Sequence, residues 1–118
     1  MGGNLSDIDQ RLPKNEIIKK HNDFKKVLDQ GNQWSGKYIK CFFCKAQNRK
    51  VGFMIAKNIG KAVTRNRIKR LMRESYRKNR QTIKNYHILI CAKNQSVTAE
   101  YKDIYEDFQN FIKKHHDY

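Results

Sequence analysis

Carboxylates are scarce in this chain: 11 Asp and Glu stand against 26 Lys and Arg in 118 residues, a formal charge of +15. The scarcity is concentrated. Between Arg49 and Arg80 there are twelve Lys or Arg and one acid, Glu74, so that stretch holds +11 and the rest of the chain +4. A nuclease that worked through its own metal ions would gather Asp and Glu around them, and the basic stretch offers no such set. Asp103, Glu106 and Asp107 sit on a segment of helical phase whose neighbouring turns are aromatic, which makes them a solvated face. No run approaches the roughly 18 apolar residues of a membrane-spanning helix. The opening lacks the charged-then-apolar order of a secretion signal, so the expected compartment is the cytoplasm. Cysteine is limited to Cys41, Cys44 and Cys91, an odd number that points to reduced thiols rather than a disulfide framework. Cys41 and Cys44 form a C-x-x-C, but in the β-like run "YIKCFFCKA" residues three apart face opposite ways, and no second ligand pair completes a zinc site. His21, His87, His115 and His116 fit no nucleophile or metal pattern, and the last two are expected to fray. Neither a catalytic residue nor a metal ligand is expected in the protein itself.

What is present is enough for one modest core and too little for two. Residues 1–10, "MGGNLSDIDQ", read as a flexible tail or an expression remnant. They also fit the short acylation pattern M-G-x-x-x-[ST] through Gly2 and Ser6, a match too common to carry weight. "HNDFKKVLDQG" predicts a short amphipathic helix, with Asn22 as N-cap and Gly31 as stop. "KYIKCFFC" and "KVGFMIA" are rich in aromatic and β-branched residues around the polar "KAQNR", which predicts a hairpin near 37–56, with a further short strand around Gln33 to Ser35. Alternation puts Tyr38, Lys40, Phe42 and Cys44 on one face of the strand and Ile39, Cys41 and Phe43 on the other. "YHILICAK" is a continuous apolar run typical of a central strand. From Thr98, as cap, Tyr101, Ile104, Tyr105, Phe108, Phe111 and Ile112 recur at helical spacing.

The segment "KAVTRNRIKRLMRESYRKNR", Lys61 to Arg80, holds nine of the cations. Wound at about 100° per residue, Ile68, Leu71, Met72 and Ser75 share an arc of roughly 100°. With Arg65 at zero, Lys69, Arg73, Asn66, Arg77 and Arg70 follow at about 40°, 80°, 100°, 120° and 140°, while Arg67, Glu74 and Lys78 lie beyond. A merely solvated helix would mix Lys with Glu four residues apart, because like charges at that spacing destabilise by a few tenths of a kcal/mol. Sorted cations without acids fit a polyanion instead. Arginine's planar fork suits phosphate better than an ammonium does. Ahead of the helix, Gly60 permits a tight turn, so that the helix N-terminus faces an anion with Lys57 and Lys61 beside it. An anionic membrane surface would need large exposed apolar residues, yet Ile68, Leu71 and Met72 are required for the core. A DNA-reading helix would present a narrower edge. A general RNA-binding or ribosomal-type protein fits the composition equally well.

The stretch "KNIGKAVTRNRIKRLMRE" closely resembles the signature of the bacterial ribonuclease P protein component: a lysine, a glycine, then A-V-x-R-N-[RK]-[IL]-K-R-x-x-R, here Lys57, Gly60, Ala62, Val63, Arg65, Asn66, Arg67, Ile68, Lys69, Arg70 and Arg73. "KHNDFKKVLDQG" is similar to that family's first helix, and the order of elements agrees over about residues 11–118. The resemblance implies an α+β fold, α-β-β-β-α-β-α, in one RNA-binding α/β sandwich domain over 11–118. It implies a four-stranded mixed sheet with helices packed on it and a left-handed βαβ crossover at the basic helix (ribosomal protein S5 domain 2-like), although connections are generally right-handed. It further implies a protein subunit of a ribonucleoprotein that removes the 5′ leader of precursor tRNA, with Mg²⁺ held by the catalytic RNA and no obligate protein partner. Arg65, Asn66, Arg67, Lys69, Arg70 and Arg73 would then face the catalytic RNA, flanked by Lys57 and Lys61. A separate cleft at Phe24, Leu28 and Phe42 would hold the single-stranded leader, where aromatic faces stack unpaired bases at roughly 1–3 kcal/mol each. Leu28 departs from the aromatic residue common at its position in the family.

Overall fold

The computed structural model describes residues 12–115. The tail reading for 1–10, the acylation pattern at Gly2 and Ser6, and His116 lie outside the described residues. In chain order the elements are helix α1 (His21–Gln30), strands β1 (Asn32–Ser35), β2 (Ile39–Lys45) and β3 (Lys50–Met54), helix α2 (Ala62–Asn79), strand β4 (Tyr86–Ala92) and helix α3 (Tyr101–His115). Short 3-10 turns cover Lys14–Glu16, Arg80–Thr82 and Asn94–Thr98.

The four strands form one mixed sheet in the order β1-β2-β4-β3. The apolar run of β4 has the inner position expected of it, antiparallel to β2 and parallel to β3. This corrects the hairpin expected from Lys37 to Ala56: β2 and β3 follow one another in the chain but lie on either side of β4. Burying Ile88, Leu89 and Ile90 requires cover on both faces and a hydrogen-bonded neighbour on both edges, which a β2–β3 hairpin would deny to β4. The loop is long enough for the detour, since its four residues reach about 13 Å and two strand gaps need about 10 Å. It is tied across the strand end, where Ala46 N–H donates to Asn85 O at 3.0 Å. The hairpin is instead β1–β2, closed by Gly36 N–H on Ile39 O at 2.8 Å.

Alternation makes the two sheet faces unequal. Ile39, Cys41 and Phe43 of β2, Val51 of β3 and Ile88 and Ile90 of β4 join Ile68, Met72 and Tyr76 of α2 and Ile104, Phe108 and Phe111 of α3 in the main core. At roughly 1.5–3 kcal/mol per buried large side chain, this face supplies most of the folding energy. The opposite face carries α1 alone, over a small cluster of Ile18, Val27 and Leu89. Gly52 lets α1 come close: a Cβ there would lie 2.7 Å from Leu89 Cδ2 and 2.9 Å from Phe24 Cζ. Cys41 and Cys44 point to opposite faces, Cys41 buried and Cys44 half-buried, both as thiols.

Two carboxylates knit the layers together. Glu16 accepts from Arg49 Nε (3.3 Å), Arg80 Nε (3.3 Å), a second nitrogen of each arginine and Tyr76 Oη (3.1 Å). Arg49 also donates to Arg80 O and Ile83 O. Burial would raise the Glu16 carboxyl, but the hydrogen bonds from Arg80 and Arg49 outweigh it and hold the group below its ordinary range. Asp107, expected on a solvated face, is 8% exposed and accepts the backbone N–H groups of Lys37, Tyr38 and Ile39. An exposed hairpin turn leaves those donors unpaired, and α3 brings a carboxylate to them. Tyr38 consequently packs with the main core and does not share the Phe42 face, because β2 begins only at Ile39. Helix starts also shift. The first helix begins at His21 with Lys20 preceding it, and α3 begins at Tyr101, where Asp103 accepts from Glu100 N–H at 2.9 Å. Thr98 instead closes the preceding 3-10 turn on Gln95 O. His115, expected to fray, has its ring 4.6 Å from that of Phe43 and 5.3 Å from that of Phe111.

Candidate nucleic-acid interface

The turn into α2 is built before any ligand arrives. Ile59 is buried and anchors it, and Gly60 takes φ of +61°, a left-handed conformation that costs side-chain-bearing residues about 1–2 kcal/mol. Arg65 Nη1 donates back to Lys57 O at 2.9 Å and Gly60 O at 2.8 Å, clamping the turn against the helix. Lys61 occupies the cap position without a side-chain cap, and the first turn of α2 contains no acid. The first N–H groups of α2 are therefore uncapped, at the positive end of the helix dipole, with Lys57 and Lys61 exposed beside them.

Along α2 the cations sort by angle as the sequence predicts, except that Arg77, expected on the same arc, is half-buried and paired with Glu74. Asn66, Lys69, Arg70 and Arg73 are exposed on the outer arc, whereas Arg65 and Arg67 lie half-buried at its two margins. Arg67 donates to Ala99 O and Val97 O, each at 2.9 Å, bracing α2 against the turn before α3. The eight candidate cation and amide positions thus divide into an outward group and two arginines engaged with backbone carbonyls. The helix's one acid, Glu74, is taken by Arg77 through Nε at 3.0 Å and Nη2 at 2.5 Å. Those hydrogen bonds hold its carboxyl below the ordinary range against the effect of burial. Among the described residues no ion pair reaches Lys69, Arg70 or Arg73, so the outer arc is cationic and unneutralised.

On the other face of the sheet α1 brings Phe24 and Leu28 to the side of Phe42. Phe24 and Phe42 are half-buried against the Ile18, Val27 and Leu89 cluster, and Leu28 is 37% exposed. Strand register places Phe42 opposite Leu89. Lys40, one pleat away on the same face, sets its Nζ 5.1 Å from the centre of the Phe42 ring. Sequence reading placed Lys40 beside Phe42 but gave it no role, although period-2 alternation already put an ammonium next to an aromatic face. The arrangement offers apolar ring surface edged by positive charge, the chemistry that holds unpaired bases and their phosphates. Among the described residues no group of three or more His, Cys, Asp or Glu could hold a metal ion, and no helix is long and apolar enough to cross a membrane.

A small α/β domain with one cationic helix on a rigid turn and an aromatic groove on its far side is, by its architecture, a polyanion-binding module. The chain belongs to the ribonuclease P protein family: the family model described as Ribonuclease P matches residues 12–116. The ribonuclease P protein component of Clostridioides difficile is 38% identical over 101 residues, covering 82% of this chain and 89% of that protein. That of Clostridium botulinum strain Loch Maree is 35% identical over 105 residues, covering 86% and 95%. Among solved structures, the RNase P protein from Staphylococcus aureus superposes with a TM-score of 0.76 at 25% identity, over 88% of this chain and 92% of that one. The protein from Thermotoga maritima gives 0.75 at 24%, over 84% and 96%. Membership carries association with ribonuclease P RNA and involvement in tRNA processing.

Proposed function

We propose that the chain is the protein subunit of a ribonuclease P ribonucleoprotein, which binds the catalytic RNA through α2 and the 5′ leader of precursor tRNA in the α1–sheet groove. The observation that carries this reading is the outer arc of α2: Asn66, Lys69, Arg70 and Arg73 stand exposed, and the helix's one carboxylate is committed to Arg77. Such a face releases counterions from an RNA backbone without reading its sequence. The uncapped start of α2, between Lys57 and Lys61, accepts a further phosphate. Phe24 and Phe42 stack leader bases, and Leu28 adds apolar contact without a ring.

Cleavage in this reading belongs to the RNA, which holds the Mg²⁺ ions. The protein neutralises the backbone around them and holds the leader away from the tRNA body. It supplies position and charge and no reacting group.

Reconstitution tests the proposal. Pure chain, the RNA that co-purifies with it, and precursor tRNA are combined with Mg²⁺, and release of the 5′ leader is followed. Cleavage by the mixture and none by protein alone is expected. Cleavage by protein alone, or co-purification of ribosomal RNA only, overturns it, the latter in favour of a ribosomal-type protein. Phe42→Ala is expected to weaken binding of leader-bearing precursor more than of mature tRNA, and equal weakening of both would reject the leader groove.

A further inference from the structure

Helix α1 lies across one face of the sheet and divides it into two grooves. With buried Val27 as the reference angle, Phe24 and Leu28 fall at about +60° and +100°, and Asp23, Lys26 and Gln30 at about −40°, −100° and −60°. The first pair lines the aromatic groove. The second flank faces the end of β2, the loop after it and the start of β3, in a groove lined by Asp23, Lys26, Lys45, Asn48, Lys50 and His87. Nothing in the function proposed above uses this second groove.

Lys26 of α1 and Lys50 of β3 bring two ammonium groups to this groove beside one carboxylate, Asp23. Among the described residues neither Lys26 nor Lys50 makes an ion pair. The floor is held in place: Asn48 Oδ1 lies 2.9 Å from His87 Nε2, and Asn85 Nδ2 donates to Gln47 O at 3.3 Å. His87 faces Asp23 and Lys26 from α1, and Cys44 of β2 and Lys50 of β3 are its cross-strand partners, with Lys45 at the groove's rim. Its protonation is disfavoured by burial first, and then by Lys50 and Lys26, with Asp23 opposing. The imidazole thus lies close enough to the charges of the groove to report a change among them. Like charges brought together on a fixed floor, with too few acids to neutralise them, are a preformed anion site.

We propose that this groove is a second anion-binding site, distinct from the aromatic groove and from α2, that takes a backbone phosphate of bound RNA. The proposal rests on the RNA-binding role above and extends it to the opposite flank of α1. Lysine ammonium groups act as point charges without a geometric demand, so the site contributes affinity and register but no sequence preference. The phosphate comes from the leader if the strand passes over α1, or from the catalytic RNA if that RNA wraps the loop after β2.

Two measurements test the site. In the first, the His87 ring is followed by NMR through a pH titration with inorganic phosphate or with chloride at equal ionic strength. Phosphate is expected to raise the His87 titration midpoint, with His115 on the far face as control, and Lys26→Gln with Lys50→Gln is expected to abolish the rise. In the second, the salt dependence of binding is compared for the doubly substituted and native chains with catalytic RNA, leader-bearing precursor and mature tRNA. A slope shallower by about 0.7–0.9 identifies whichever RNA supplies the phosphate. An unchanged slope with every RNA overturns the proposal. So does a phosphate response of His87 without a slope change, which would mark an adventitious ion only. If the double variant fails to fold, Lys26→Gln on the exposed flank of α1 carries the same test. Should Arg73→Ala weaken RNA binding while Lys26→Gln leaves the slope intact, this site falls and the proposed function stands.

Discussion

At the residue scale, exposure and hydrogen bonding assign different work to arginines that look alike in sequence. Among the described residues Arg70 and Arg73 have no carboxylate partner, and both stand in solvent, so replacing either by Ala is expected to reduce the salt slope of catalytic-RNA binding by about 0.7–0.9 without lowering the melting temperature. Arg67→Ala removes the donors that meet Val97 O and Ala99 O, and it is expected to lower the melting temperature while changing the slope less. Equal slopes for all three variants would refute the division. Glu16 is the counterpart on the acidic side. Glu16→Gln leaves Arg49 and Arg80 facing a neutral amide at a buried position, and is expected to cost about 3 kcal/mol in chemical denaturation, the lower end for breaking a buried pair. Because the native Glu16 carboxyl lies below the unfolded value of about 4.3, its stabilising contribution is present above that value. The contribution disappears as pH falls through the native value. The acid limb of the native stability–pH curve should therefore be steeper than that of Glu16→Gln.

At the element scale, the turn into α2 determines how the cationic helix starts. Gly60→Ala puts a Cβ 3.0 Å from the Thr64 side chain at φ of +61°; a loss of about 1–2 kcal/mol on denaturation is expected, with Gly60→Asn costing less. A neutral result would show that the turn relaxes into another conformation. The helices were legible because the 3.6-residue period of Ile68, Leu71 and Met72, or of Ile104, Phe108 and Phe111, is a local property of the chain. Strand existence was legible for the same reason, down to the central place of β4. Strand pairing was not: nothing within "KAQNR" tells a hairpin loop from one that crosses the end of a strand forty residues later. Helix starts failed by about two residues because other local contacts set them: Asp103 accepts from Glu100 N–H, and α1 opens after Lys20 with no side-chain cap. The residue types of both proposed surfaces, and their angles on the helices, could be read from the sequence. The roles of Arg65 and Arg67 could not, since their carbonyl partners are fixed only when the turn before α2 and the one before α3 close. Asp107 was misread for a similar reason, its three donors lying some seventy residues away.

At the scale of the whole molecule, half of the eight described carboxylates are engaged internally. Glu16, Glu74, Asp103 and Asp107 each accept hydrogen bonds from their own chain, so the surface is left with an excess of positive charge that repels itself. Added sulfate or phosphate is expected to raise the melting temperature by binding and screening, and a melting temperature insensitive to either anion would argue against a strained surface field. The two sheet faces also differ in how firmly they are held, with sixteen buried residues in the main cluster and three under α1. Sub-global opening should therefore begin at α1. Hydrogen exchange would detect it as amides of His21–Gln30 losing protection well before those of α2 and α3. Because a single loosely anchored helix forms a wall of both grooves, one opening event would dissolve both proposed recognition surfaces together. The cationic face of α2 would remain intact, ready to engage RNA before the rest of the protein has settled.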